Sequence, residues 1–292
     1  MKPILVHLHI FYKELYPELK ECLQNISDHK FELFVTMVQA HQDILDDLNK
    51  SFPGCKIQIV PNVGFDIAPF FSILKKINLD DFSYVIKFHT KRDVKDEGRG
   101  DGLEGSTWRD LLLDFAKSKD NFNFVVKNLE EHPNIGMHGD VKLIWTWFYD
   151  GKQEIKKFPE FLKAHGYKKL RYLFVGGSMY IARASVFKDM QKLDIKQEEF
   201  EAPDLSHTGC QLAHLLERFI GYSVYNHGMS IKDCTITPLK SNLKYFTRFS
   251  VMVVMGFIKK WILSIRVTKK NKLLIKVLRI PVFSWKLNNR KL

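Results

Sequence analysis

Cysteine is scarce and nowhere arranged for metal. Cys22, Cys55, Cys210 and Cys234 are the only four, and no two stand in a CxxC or other ligand spacing. That excludes a cysteine-based zinc module and fits reduced, buried thiols in a cytosolic protein. Long hydrophobic runs are missing too. Phe249 to Ile258 is an apolar stretch of ten residues that ends at Lys259-Lys260, whereas a bilayer crossing takes about 20. Met1-Lys2-Pro3 leads into a short run containing His7 and His9, which does not read as a signal peptide. Acid is absent from the C-terminal part altogether. Lys240 to Leu292 holds 14 Lys or Arg and no Asp or Glu, so 31 of the 45 basic residues precede it, against 33 acidic ones. The overall charge of +12 thus conceals a body of net −2. A near-neutral domain over residues 1–239 with a basic attachment segment over 240–292 follows. A nucleic-acid-binding body does not, and no recognised nucleic-acid motif is present.

What the first third does contain is a regular alternation of strand and helix patterns. Ile4 to Ile10, Phe31 to Thr36, Lys56 to Val60 and Tyr84 to Phe88 read as strands. Glu14 to Ile26, Gln42 to Ser51 and Ala68 to Ile77 read as the helices between them. Later strands are expected at Asn134–His138, Arg171–Val175 and Tyr180–Ala182, with helices over Trp108–Lys117 and from Ala184 onward. A chain of 292 residues can bury one substantial core. The predicted class is α/β: a single, mostly parallel, Rossmann-like sheet flanked by helices.

In such sheets ligands bind outside the carboxyl ends of the strands, and two of these ends carry unusual chemistry. Tyr84-Val85-Ile86-Lys87-Phe88 runs abruptly into His89-Thr90-Lys91-Arg92-Asp93, and the exit of the third strand reads Asn62-Val63-Gly64-Phe65-Asp66. Asp66 can accept hydroxyl hydrogen bonds and Gly64 permits close backbone approach, which suits a nucleoside. The plainer reading of Asp66 is a helix N-cap. His9 and Tyr12 flank the first strand end and His7 reads as structural. Gly176-Gly177-Ser178 beside a strand suits a sugar, with Arg183 as a further polar group; the alternative is a bulge that re-aims the strand. Gln211, His214 and Glu217, spaced by three, share a helix face. Glu217, Asp204 and His214 are candidates for a catalytic base.

Together these segments resemble the rhamnan synthesis protein F family, a group of A-fold-like bacterial glycosyltransferases. The resemblance rests on Val6–Tyr12, Phe34–Thr36, Asn62–Phe70, Val85–Lys91, Trp108-Arg109, Val175–Ala184 and Leu212–Arg218 in this order, and spans roughly residues 4–225. It implies a GT-A-like fold and transfer, of the inverting type, of a sugar such as rhamnose from a nucleotide-sugar donor. The acceptor implied is a glycan or lipid-linked glycan in rhamnan, O-antigen or capsule synthesis. A-fold transferases usually hold a divalent metal with Asp-x-Asp at the fourth-strand end; this chain has His89-Thr90-Lys91 there. Lys91 then replaces the metal as a point charge on the leaving diphosphate and His89 donates to it, while Asp93 leaves a weaker single-carboxylate site for Mg²⁺ or Mn²⁺. Where the family tends to show Asp-Gly-Thr, this chain has His207-Thr208-Gly209, which leaves the base open among the three candidates. The rival class is a non-catalytic transferase-like scaffold of a polysaccharide assembly complex.

The basic segment mixes Lys and Arg with apolar residues, as in Leu273–Ile280, and carries Trp261 and Trp285. The expectation is an amphipathic helix lying on the anionic inner face of the cell membrane.

Overall fold

Strand β1, Ile4–Ile10, is buried at every position, as a central strand of a parallel sheet covered on both faces must be. In the computed structural model, residues 2–93, 105–146, 152–204 and 210–235 are described, together with three strands between 263 and 286. The chain divides into two units, Met1–Ile236 and Thr237–Leu292.

The first unit begins as the alternation predicts: β1, α1 (Tyr16–Asn25), β2 (Phe31–Met37), α2 (Gln42–Ser51), β3 (Lys56–Ile59), α3 (Ile67–Leu74) and β4 (Tyr84–His89). Pro17 in the first turn of α1 and Asp66 at the N-cap position of α3 mark helix starts. Then follow α4 (Thr107–Leu112), α5 (Lys119–Glu131), β5 (Ile135–Gly139), β6 (Ile144–Thr146), α6 (Lys152–Ala164), β7 (Leu173–Val175), β8 (Tyr180–Arg183), α7 (Lys188–Lys192), α8 (Leu212–Asn226) and β9 (Ser230–Asp233). Seven strands form one sheet in the order β3-β2-β1-β4-β8-β5-β9. All its pairings are parallel except those of β8, which runs antiparallel between β4 and β5. The expected strand over 171–175 is shorter and lies outside this sheet, since β7 pairs with β6 in a two-stranded antiparallel sheet.

The chain leaves β1 toward β2 and β3 on one side, then returns to β4 on the other. The carboxyl ends of β1 and β4 therefore form a topological switch point, the place where open sheets of this kind leave a crevice.

The second unit differs from expectation. Leu263–Val267, Lys272–Val277 and Ile280–Lys286 are strands β10, β11 and β12 of an antiparallel sheet, not a helix. The reason is a period of two. Leu263, Ile265 and Val267 pair with Val277, Ile275 and Leu273, and the latter two pair with Phe283 and Trp285. Ser264, Arg266, Lys276 and Ser284 stand between these apolar positions and Lys272 and Lys286 flank them, with Leu274 the apolar exception between Leu273 and Ile275. Alternation with β-branched and aromatic residues is strand chemistry. The run Phe249–Ile258 lies outside the described residues, as do residues 94–104 and His207-Thr208-Gly209. No helix among the described residues is long and apolar enough to cross a membrane.

Helix α8 packs its middle against β7 at Gly221, where an added Cβ would meet the backbone carbonyl of Leu173 and the side chain of Phe174. Gly221→Ala gains about 1 kcal/mol of helix propensity but forces backbone apart in a packed core. We expect a net loss of about 1–2 kcal/mol, read as a lower denaturant midpoint at unchanged m-value.

Candidate functional site

Because side chains alternate along a strand, His7 and His9 of β1 share a face, and their register partners Lys87 and His89 of β4 lie beside them. Thr36 of β2 pairs with His9, and Tyr180 of β8 pairs with Lys87. The result is a polar seam across a buried sheet face, running toward the switch point. His7, Thr36, Lys87 and Tyr180 are all at most 1% exposed. Thr36 Oγ1 lies 2.9 Å from His7 Nε2 and 3.0 Å from His9 Nδ1, so one hydroxyl, which can both donate and accept, bridges the two rings.

Lys87 is the residue that the sequence reading passed over. A lysine is almost never fully buried without a partner, and its place inside an apolar strand was the available signal. Its ammonium donates to Asp66 Oδ2, to the Ser178 carbonyl at 3.1 Å and to Ser178 Oγ at 3.0 Å. Ser178 Oγ in turn donates to Asp66 Oδ2 at 2.6 Å. Asp66 occupies the N-cap position of α3, yet its side chain makes no capping bond. His89 Nδ1 stands 3.5 Å from the same carboxylate oxygen and makes no hydrogen bond. Asp66, His89 and Ser178, three donor-binding candidates, thus meet around one cation.

The glycines have packing duties. Gly64 has φ of +59°, its N–H donates to the Glu201 carbonyl at 2.9 Å, and an added Cβ would stand 2.5 Å from the Phe200 ring. Close approach here is made by Phe200. Gly176 is covered by the Trp145 indole, and Gly177, at φ of +96°, by Trp108 and Leu112. Trp108 and Trp145 have ring centroids 5.4 Å apart, and Trp108 Nε1 donates to the Gly176 carbonyl at 3.3 Å. Lys91 holds its ammonium 4.3 Å over the Trp108 ring, which ties this cation to the turn at Gly176-Gly177. Asn62 is exposed.

The base candidates separate. Glu217 of α8 accepts the Gly177 N–H at 2.8 Å, so it reaches the turn at Gly176–Ser178. Its other oxygen lies 3.7 Å from Arg218. His214 uses Nδ1 to accept the Gln211 N–H at 3.1 Å, a cap at the start of α8, and stacks obliquely on Phe65 at 5.5 Å. Gln211 is the N-cap rather than part of the helix. Its amide oxygen accepts the Asp204 N–H at 3.0 Å, which draws Asp204 to the N-terminus of α8.

Two expected contacts lie elsewhere. Asp93 is paired with Arg109, which also donates to Glu18 at 2.6 Å and to the Lys91 carbonyl at 3.0 Å. Among the described residues no group of three or more His, Cys, Asp or Glu is arranged for a metal ion. Arg183 sits at the far end of β8, opposite the start of β4, where it donates to the carbonyls of Ile135, Leu129 and His132. It is outside the site because β8 runs antiparallel. Thr90, also unnoticed in the sequence, accepts the N–H groups of Phe11 and Tyr12, each at 2.9 Å, and closes the β1 exit onto β4.

Burial sets the charges. Desolvation lowers the pKa of His9 to about 4, of His89 to about 3, and of His7 well below the ordinary value. Burial alone would raise that of Asp66, but His89, Lys87 and the hydrogen bonds from Lys87 and Ser178 hold it far down. With His89 neutral at pH 7, Lys87 is the lasting cause. Asp140, at the end of β5, is pushed up to about 6 by burial. The depressed histidines bind protons on unfolding once pH falls below about 6.5, so their stability contribution disappears as pH drops toward their folded values. Asp140 acts oppositely, losing its contribution as pH rises through about 6. Burial also lowers His138 and raises Asp114, so four imidazoles stand against two carboxyls: stability should fall between pH 6.5 and 4, by about 1.4 kcal/mol per pH unit for each net proton taken up. Urea midpoints across that range check it; a flat profile would refute neutral buried imidazoles.

Known proteins bear on this geometry. Two Xanthomonas campestris pv. campestris proteins, from strain B100 and a second strain, each named as an uncharacterized protein WxcX, are each 22% identical over 225 residues. The match covers 76% of this chain and 31% of each relative, so the chain spans about a third of the length of these curated relatives. The family profile described as rhamnan synthesis protein F matches residues 1–229, which takes in β1 through α8 and every residue of the seam. The chain belongs to the rhamnan synthesis protein F family, whose name ties it to polysaccharide synthesis.

Proposed function

We propose that the chain is a glycosyltransferase with an A-type fold that moves a sugar from a nucleotide-sugar donor to a glycan or lipid-linked glycan acceptor. The observation that carries this is the meeting of Asp66, His89 and Ser178 at the switch point, with His9 and Lys91 on the same strand ends. In this reading Asp66 contacts the nucleoside, Lys91 and His89 meet the diphosphate, and Gly176 to Ser178 border the sugar. The acceptor hydroxyl attacks the anomeric carbon, the bond to the diphosphate breaks, and the diphosphate leaves with the electron pair against the Lys91 charge. A base takes the acceptor's proton. Glu217 is the best supported of the three candidates because Gly177 ties it to the sugar side.

One observation favours a second reading, the non-catalytic scaffold. Asp66 and Glu217 both already accept hydrogen bonds from their own chain. Donor hydrolysis separates the two: a scaffold retains nucleotide binding and releases no sugar.

The basic unit is the proposed contact with an anionic membrane surface on the cytoplasmic side. Its support is the 14 basic residues without an acidic one over 240–292, of which Arg266, Lys272, Lys276 and Lys286 lie on the strands. The full chain should float with phosphatidylserine-containing vesicles at low salt, release at high salt, and ignore neutral vesicles. Equal binding to both would refute a charge-driven contact.

A saturating nucleotide or nucleotide sugar, at about a hundredfold over Kd, should raise the melting temperature by roughly 5–10 °C. Lys91→Ala should remove most of that rise without lowering the unliganded midpoint. Persistence of the rise in EDTA supports lysine in place of metal. No rise with any member of a nucleoside diphosphate panel would overturn the transferase reading.

A further inference from the structure

Lys87 is itself fully buried beneath the site, yet all three of its N–H groups are spent on two loops that border it. One loop carries Asp66 and the other Ser178. Each also holds a non-glycine residue in the left-handed region, Phe65 at φ of +53° and Ser178 at +54°. Such conformations persist where surrounding contacts over-determine them. Asp66 Oδ2 takes both the Lys87 and the Ser178 donors, while Oδ1 receives none among the described residues, and the side chain remains 17% exposed. His89 supplies a second, independent pointer. Its side chain is 9% exposed and Nδ1 lacks a hydrogen-bond partner beside that same carboxylate. A buried polar nitrogen without a partner is rare enough to need an explanation, and a bound group is one.

We propose that Lys87 is a positioning residue that locks Asp66 and Ser178 together, turning Asp66 Oδ1 outward so that it and His89 Nδ1 read uncharged hydroxyls of the ligand rather than a metal ion. This rests on the nucleotide-sugar reading and deepens it. The exclusion of metal from Asp66 is electrostatic: a divalent cation on Oδ1 would stand within a few ångströms of an ammonium that cannot move away, in a region poor in water. A hydroxyl carries no such repulsion. Buried ion pairs add little to stability compared with apolar packing, so a pair placed here is better explained by the geometry it fixes. The other titratable groups facing Asp66 are His7 and His9 from β1, His89 from β4 and Tyr180 from β8. None of these replaces Lys87 as a cation at neutral pH, since the three imidazoles are neutral there.

The test pairs a ligand-free and a ligand-bound readout on the full chain. Carbon-13 NMR of the Asp66 carboxyl should show no titration above pH 4 in the native protein and a clear one in Lys87→Met. Calorimetry with uridine and thymidine 5′-diphosphates and their sugar conjugates should give binding that is flat from pH 6 to 8. Lys87→Met should weaken it about tenfold to a hundredfold, the loss of one hydrogen bond to a charged group, and more at pH 6 than at pH 8. Addition of Lys87→Met to Asp66→Asn should cost nothing further, because both act through one carboxylate. Ser178→Ala, which keeps the ion pair, serves if Lys87→Met does not fold, and should raise the carboxyl midpoint and weaken binding in the same direction. A folded Lys87→Met or Ser178→Ala with unchanged titration and unchanged affinity overturns the proposal. So does Mn²⁺-induced broadening of the Asp66 carboxyl signal in the native protein. A shifted titration in a protein that binds no nucleotide would overturn the nucleotide-sugar reading and the hydroxyl role with it, while leaving the Lys87–Asp66 coupling supported.

Discussion

An ammonium group at zero exposure constrains everything around it, because each of its three protons must be met by an oxygen. In this fold the oxygens come from Asp66 and from Ser178, residues far apart in sequence on opposite flanks of β4. Their loops cannot move independently without stranding Lys87. The start of α3, the turn before β8 and the middle of β4 are thereby one mechanical piece. Further ties extend it: Gly64 binds Glu201, Gly177 binds Glu217, and Thr90 binds the exit of β1. A site assembled from four separate segments gains its order from this one ion pair.

The tryptophans extend the same argument to the turn at Gly176-Gly177. Trp108 and Trp145 lie against Gly176 and Gly177 so closely that neither glycine could carry a side chain. The glycines of this turn therefore make room for indoles of the same chain, and those indoles set the level at which Lys91 rests. Arg109, next to Trp108, holds the Lys91 carbonyl, Glu18 and Asp93. The Trp108-Arg109 pair thus fixes the segment after β4 from both sides, which accounts physically for its place among the motifs of the chain.

Much of this was legible in sequence, and what was not has identifiable causes. The first four strands and their helices could be read because β/α alternation with apolar strand runs is a strong local signal. The ends of β1 and β4 and the loop at Asp66 could be read because polar residues at the carboxyl ends of such strands have few other uses. The antiparallel course of β8 could not, since nothing local in Tyr180-Ile181-Ala182-Arg183 encodes direction, and Arg183 was misplaced as a result. Lys87 was visible as an oddity, but its role depends on Asp66 and Ser178 arriving from 21 and 91 residues away. Gly64 was read for ligand approach because a sequence cannot say which atom makes the close contact. Here it is Phe200.

The C-terminal unit shows how ambiguous short basic-apolar segments are. Lys272-Leu273-Leu274-Ile275-Lys276-Val277 satisfies a loose helical pattern and, Leu274 apart, also a period of two, and only pairing decides. As strands, these segments bring apolar positions into register across the three strands of the sheet, with Arg266 and Lys276 between them. Concentrating the positive charge there leaves residues 1–239 nearly neutral. Lys87 within the sheet and Lys91 just beyond β4 owe their places instead to contacts inside the first unit, the one to Asp66 and Ser178 and the other to the Trp108 ring.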